Sequence, residues 1–230
     1  KAEIFDGVVV GGSVLLNADD ERIQMLASIA KSKNIESICT FGESEGAESH
    51  LDTAVLHGSC SCLTASIFED NIVVKVGSPG RHIVKNVLAV LAAVKLLGAD
   101  MAKAGLALAD FKPVKGRGER HWVGEGENSF LVIDESYNAN PSSMRAALDL
   151  LGATTPKRRG RRIAVLGDML ELGSTSKDLH AGLAPAIDEN QIENVILVGK
   201  EMRALHDELR GRVNCVYVEN VEDVIPIVRA

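Results

Sequence analysis

The chain has 230 residues, with 25 Lys and Arg against 32 Asp and Glu and hence a net charge of −7. Apolar residues make up 46% and mean hydropathy is +0.08, enough for one large core or two small ones, which excludes a dominantly disordered chain. A pI near 5.4 offers no general cationic face to nucleic acid, and aromatics at 3% leave few platforms for stacked bases.

From the start, acid at Glu3 and Asp6 comes too early for a secretory signal. Short β-branched runs predict strands at 8–10, 13–17, 37–41, 54–56, 72–76, 130–133, 163–166, 195–198 and 215–218. The first helix is expected over 20–31, with Asp19 as its cap. Between 54 and 76, runs divided by Gly58 and Glu69-Asp70-Asn71 hold no helix, which predicts an antiparallel piece. A second helix is expected over 82–97, ending before Gly98. Its apolar stretch is broken by Lys95 and falls short of the roughly 18 residues a membrane helix needs.

Asn140-Pro141 caps and starts a third helix with Met144, Ala147, Leu148 and Leu151 as its buried stripe. Residues 152–162 mix turn formers with five basic residues and read as a linker. Beyond it, strand, helix (177–187), strand, helix (201–209) and strand predict a parallel α/β sheet. Cys39, Cys60, Cys62 and Cys215 contain no CxxC and have no His at zinc spacing, so they read as free cytosolic thiols that pack like small apolar groups. The six histidines form no metal-spaced pair and read as ordinary residues.

Ligands of open α/β sheets sit outside the carboxyl ends of strands. Three such places carry polar clusters. Residues 133–143 could hold a ribose hydroxyl, a metal-bound water, a base edge or a phosphate, or could simply be a capped strand-to-helix turn. Residues 113–119 combine two glycines with Arg117, suited to phosphate or to a plain surface turn. Residues 165–173 place Asp168 at the end of a buried strand, for helix capping or substrate contact. The sequence holds no G-x-x-x-x-G-K-[ST], no G-x-G-x-x-G and no G-x-S-x-G. A P-loop cradle, a dinucleotide fingerprint and a hydrolase elbow are therefore not expected within it.

The strings Val14-Leu-Leu-Asn17-Ala-Asp-Asp20, Gly80-Arg-His-Ile-Val-Lys-Asn86, Pro113-Val-Lys-Gly-Arg-Gly-Glu119, Asp134-Glu-Ser-Tyr-Asn-Ala-Asn-Pro141 and Leu166-Gly-Asp-Met-Leu-Glu-Leu-Gly173 occur in an order that resembles the Mur ligases. They look most like the branch that joins D-alanyl-D-alanine to UDP-N-acetylmuramoyl-tripeptide in peptidoglycan synthesis. The resemblance implies an α/β fold. Residues 1–155 would be the C-terminal half of a central ATP-binding domain with a mixed sheet. Residues 156–230 would be an incomplete Rossmann-like C-terminal ligase domain. The chain is then expected to be a fragment lacking the N-terminal domain and the P-loop half of the central domain, and to be inactive alone. A non-catalytic nucleotide-sensing or assembly module of the same fold is the alternative.

The same resemblance assigns residues. Asn86 matches the adenine reader and Arg117 the catalytic arginine that reaches ATP phosphates. Glu135 matches the acid near the ribose, and Tyr137, Asn138 and Asn140 line that nucleotide edge. Lys1 matches a catalytic lysine that, when carbamylated, becomes an oxygen donor for Mg²⁺. Asp168 and Glu171 match the side that faces the amino dipeptide. ATP and Mg²⁺ are the implied cofactors, UDP-N-acetylmuramoyl-tripeptide and D-alanyl-D-alanine the implied partners. A cytoplasmic monomer without nucleic acid or membrane insertion is expected.

Overall fold

A computed structural model describes residues 2–126, 129–156 and 160–229. They form two compact units, 1–112 and 113–230.

In the first unit, β1 (Ser13–Asn17) and β2 (Ser37–Gly42) run parallel and are joined by α1 (Ile23–Ser32). The strand β3 (Ser49–Leu56) pairs parallel to β2, while β4 (Ser61–Ile67) and β5 (Asp70–Val76) continue the sheet antiparallel, in the order β1-β2-β3-β4-β5. The expected antiparallel piece is therefore present, as one edge of a mixed sheet. Strand β4 buries every second residue, placing Leu63, Ala65 and Ile67 on one face. Together with Val74 and Val76 of β5 they pack against Val84, Val87, Leu88 and Leu91 of α2 (Arg81–Leu96). A further helix, α3 (Met101–Ala109), is capped by the Asp100 carboxylate, which accepts the Lys103 N–H at 3.0 Å.

Two expectations fail in this unit. Residues 8–10 are no strand: a turn closes there when the Gly12 N–H donates to the Val9 carbonyl, and Val9 and Val10 lie exposed. Asp19 is not the cap of α1, because the side chain is engaged elsewhere, as described below.

The second unit begins with an antiparallel hairpin of β6 (Glu119–Val123) and β7 (Phe130–Asp134). After α4 (Pro141–Ala153) comes a parallel sheet of β8 (Ile163–Gly167), β9 (Asn194–Val198) and β10 (Asn214–Val218). The single helix expected over 177–187 is two, α5 (Ser176–Ala181) and α6 (Ala184–Glu189). They divide at Gly182-Leu183, and Pro185 sits in the first turn of α6, where its missing N–H costs nothing. Two more helices follow, α7 (Arg203–Leu209) and α8 (Val224–Arg229).

Met144 and Leu148 of α4 share one core with Ala164 and Leu166 of β8, Ile187 of α6, Leu197 of β9 and Leu205 of α7. Helix α4 thus belongs with the parallel sheet, and the units divide at 112/113, ahead of the linker expected at 152–162. Residues 157–159 of that linker lie outside the described residues. All four cysteines are free; Cys39 is buried and the others half-buried.

Candidate functional site

The second unit gathers polar side chains at the carboxyl end of β7. The turn leading into β6 is zipped to the segment leaving β7. Gly118 N–H donates to the Asp134 carbonyl at 2.8 Å, and Tyr137 N–H to the Gly116 carbonyl at 3.0 Å. Gly116 has φ +75°, and a Cβ there would stand 2.9 Å from the Tyr137 nitrogen, so glycine permits the approach. The zip carries Arg117 onto Tyr137, with its guanidinium carbon 4.3 Å from the ring centroid. Tyr137 is 67% exposed, so the stacked cation faces water and any ligand in it.

Glu135 follows β7 directly. Its Oε1 is buried and has no hydrogen-bond partner among the described residues. Burial, then the neighbouring Asp134 charge, push this carboxyl above the ordinary range, against a smaller pull from Arg117. Asp134 is the opposite case. Its Oδ1 accepts the Ser136 hydroxyl at 2.6 Å and the Ser136 N–H at 3.0 Å, and both hold its carboxyl below the usual range. Two adjacent acids are therefore pushed apart by their surroundings.

The asparagines of this loop face its own backbone. Asn138 Oδ1 accepts the Ala139 N–H at 2.9 Å. Asn140 Oδ1 accepts the Ser143 N–H at 3.0 Å, while the Ser143 hydroxyl accepts the Asn140 N–H at 3.0 Å, a reciprocal cap on α4. Such a cap is worth about 1 kcal/mol to the helix. Arg117, Glu135 and Tyr137 are thus brought together, and Asn138 and Asn140 shape the loop beside them.

At the end of β8, Asp168 Oδ1 accepts the Met202 N–H at 2.9 Å, tying this loop to the segment before α7. A side chain at Gly199 would collide with that carboxylate. The next residue, Met169, donates its N–H to Nε2 of the fully buried His180 at 2.9 Å, and His180 Nδ1 lies 2.7 Å from the Ser176 carbonyl. This pairing places the imidazole proton on Nδ1. Glu171 is exposed, with a left-handed φ of +61°.

In the first unit, the carboxyl ends of β1 and β2 carry a network the sequence did not reveal. Asp19 accepts N–H groups of Glu43 (2.9 Å) and Ser44 (2.8 Å), the Ser44 hydroxyl (2.7 Å) and the Lys85 ammonium (2.9 Å). Lys85 also reaches Glu43 at 3.3 Å, and Arg81 forks onto the same Glu43. Gly42 permits the approach, since a Cβ there would lie 2.7 Å from Asp19 Oδ1. Burial alone would raise the Asp19 carboxyl, but its hydrogen bonds from Lys85, Ser44 and the backbone of Glu43 and Ser44 hold it at about 2. Asn86, next to Lys85 on α2, is exposed in this unit, whereas the other described site residues belong to the second. Lys1 lies outside the described residues.

What the β7 end offers chemically is a fixed guanidinium for anionic oxygens and an unpaired carboxylate oxygen beside it. A buried acceptor without a donor costs about 1–3 kcal/mol, which a ligand hydroxyl would return.

Comparison with known proteins adds a family. The Mur ligase middle domain matches residues 1–94, and the Mur ligase glutamate ligase domain matches residues 116–229. The UDP-N-acetylmuramoyl-tripeptide–D-alanyl-D-alanine ligase of Rickettsia prowazekii is 31% identical over 225 residues, covering 98% of this chain and 49% of that protein. The ligase of the same name from Escherichia coli is 32% identical over 207 residues, covering 89% and 43%. A crystal structure of MurF from Acinetobacter baumannii superposes with a TM-score of 0.84 at 25% identity, over 100% of this chain and 47% of that one. The chain spans about half the length of the relatives it matches. Among the described residues, no helix is long and apolar enough to cross a membrane.

Proposed function

The chain belongs to the Mur ligase family, with MurF-type relatives across both units, and on that premise we propose that it forms part of an ATP-dependent ligase. The reaction proposed is addition of D-alanyl-D-alanine to UDP-N-acetylmuramoyl-tripeptide in the cytoplasm, by a protein acting as a monomer. The observation that carries the reading is Arg117 stacked on Tyr137 beside the partnerless Glu135 Oε1, at the end of the β6–β7 hairpin that opens the second unit.

The residues present fit a nucleotide. Glu135 Oε1 offers an acceptor for a ribose hydroxyl, and Arg117 a planar donor for phosphate oxygens. Bound ATP supplies the phosphoryl group that turns the unreactive tripeptide carboxylate into an acyl phosphate. The dipeptide amine then attacks the acyl carbon and inorganic phosphate leaves. Arg117 neutralises charge on the transferring oxygens, and Tyr137 holds its guanidinium in plane. Glu135 orients the ribose, Asn86 belongs with the adenine, and Asn138 and Asn140 shape the nucleotide edge. Asp168 and Glu171 face the amino dipeptide, and Lys1, once carbamylated, holds Mg²⁺. Taken by itself, the 230-residue chain is proposed to be inactive, because its sequence contains no Walker-type phosphate cradle.

Hydroxylamine trapping of the acyl phosphate tests this in the full ligase that carries these residues. Arg117→Ala should slow acyl-phosphate formation far more than it weakens D-alanyl-D-alanine binding. Equal losses in both, or no ATP turnover with the two substrates present, would refute the reading.

A further inference from the structure

The hairpin holds a second constellation, on its own face. Register pairs Glu119 of β6 directly with Asp134 of β7, and the two-residue period of a strand puts His121 on the same side as Glu119. One donor atom from each of the three lies within 4.8 Å of the other two. His121 Nε2 stands 3.3 Å from Glu119 Oε2. Two donors bound about 2.1 Å from a tetrahedral ion stand about 3.4 Å apart, so this pair already has that spacing. We propose that Glu119, His121 and Asp134 form a site for one divalent transition-metal ion of the zinc class, with water completing its coordination.

Three features support a built site over a chance group of charges. The donors sit on paired strands, whose ladder fixes their spacing, and not on free loops. Asp134 is held from behind: the Ser136 N–H and hydroxyl both engage its Oδ1, the kind of outer contact that orients a ligating carboxylate. One imidazole with two carboxylates suits Zn²⁺, whereas Mg²⁺ prefers oxygen ligands alone. Other His–acid pairs, His50 with Asp52 and His206 with Asp207, bring only two donors each.

Such an ion would also clamp the base of the Arg117 turn. Glu119 follows that turn directly, and the Asp134 carbonyl already receives the Gly118 N–H. The proposal stands on hairpin geometry and does not depend on the ligase reading.

The test is calorimetric titration of ZnCl₂ into the 230-residue chain, free of affinity tag and stripped of metal. One saturable site is expected, and MgCl₂ should give none. His121→Ala and Glu119→Gln should abolish it, Ser136→Ala should weaken it about tenfold, and His50→Ala should leave it unchanged. The exposed His121 can be removed without touching a core, and circular dichroism verifies the fold of each variant. In a parallel titration with CoCl₂, the visible absorption of a low-symmetry Co²⁺ site should appear and should vanish in His121→Ala. Absence of saturable zinc binding, binding that survives His121→Ala, or binding that disappears in His50→Ala would overturn the assignment.

Discussion

The guanidinium carbon of Arg117 stands over the ring of Tyr137, 4.3 Å from its centroid, although 20 residues separate them in the chain. The contact exists because the backbone at Gly116 and Gly118 is zipped to the strand end, not because either side chain is buried. An exposed cation–π pair contributes about 0.5–1 kcal/mol, and that is the effect to look for. In the ligase carrying these residues, Tyr137→Ala should raise KM for ATP about two- to fivefold. Tyr137→Phe, which keeps the ring, should leave KM within error of the parent. Steady-state kinetics with ATP as the varied substrate distinguishes the two.

Glu135 should cost stability when it is ionised. Its carboxyl is raised by burial and by Asp134, so the folded protein binds a proton more tightly than the unfolded chain does. Above that raised value the buried charge is a burden; below the ordinary carboxylate range both states are protonated and the burden is gone. Glu135→Gln should therefore raise the melting temperature at neutral pH, and the gain should fade on acidification. Because half of this side chain faces water, the gain should stay under about 1 kcal/mol, or about 2–4 °C. Calorimetric scans between neutral pH and the carboxylate range decide it. A gain that grows as pH falls would contradict the burial argument.

Asp19 behaves in the opposite sense. Its carboxyl is held at about 2, below its ordinary 3.8, so its stabilising effect is complete above about 4 and is lost as pH falls through 2. Asp19→Ala removes the acceptor of two backbone N–H groups and leaves Lys85 without its nearest carboxylate, at a cost of about 2–4 kcal/mol. Asp19→Asn keeps an acceptor oxygen and should cost about half as much. Urea unfolding followed by far-UV circular dichroism should show both losses at neutral pH and their convergence with the parent under strong acid.

MgATP should stabilise the 230-residue chain little or not at all. A ligand at 100 times its Kd stabilises the native state by about 2.7 kcal/mol, a shift of several degrees. The proposed nucleotide site has the Arg117 guanidinium and the Glu135 carboxylate, but the sequence contains no G-x-x-x-x-G-K-[ST] cradle for a triphosphate. A thermal scan with millimolar MgATP that shows a shift of several degrees would argue against that reading.

The sequence disclosed most where a local rule governs. The Asn140-Pro141 start of α4, the Gly98 stop after α2 and the parallel strands of the second unit all follow from caps, positive-φ glycines and β-branched runs. It disclosed less where partners are remote. Asp19 resembles a helix cap in its own neighbourhood, yet its partners lie 24, 25 and 66 residues away: the register between β1 and β2 sets Glu43 and Ser44 beside it, and α2 brings Lys85. His121 appeared as an isolated histidine because Asp134, across the hairpin, is 13 residues away, and no ligand spacing written along one chain records a cross-strand pair. The bounds of β4 were not set from sequence, although the antiparallel run holding it was, because Cys62, Thr64 and Ser66 on its other face leave only every second residue apolar.

The single tryptophan, Trp122, sits 62% exposed on β6, and both tyrosines, Tyr137 and Tyr217, also belong to the second unit. Excited in the near ultraviolet at indole wavelengths, the molecule therefore emits from one half only. Fluorescence-detected melting will follow residues 113–230 and remain blind to the mixed sheet, whereas circular dichroism records both. Two probes on one sample can thus separate the two melting events without labels, and a quenching ion such as Cu²⁺ bound beside His121 would darken its own neighbour first.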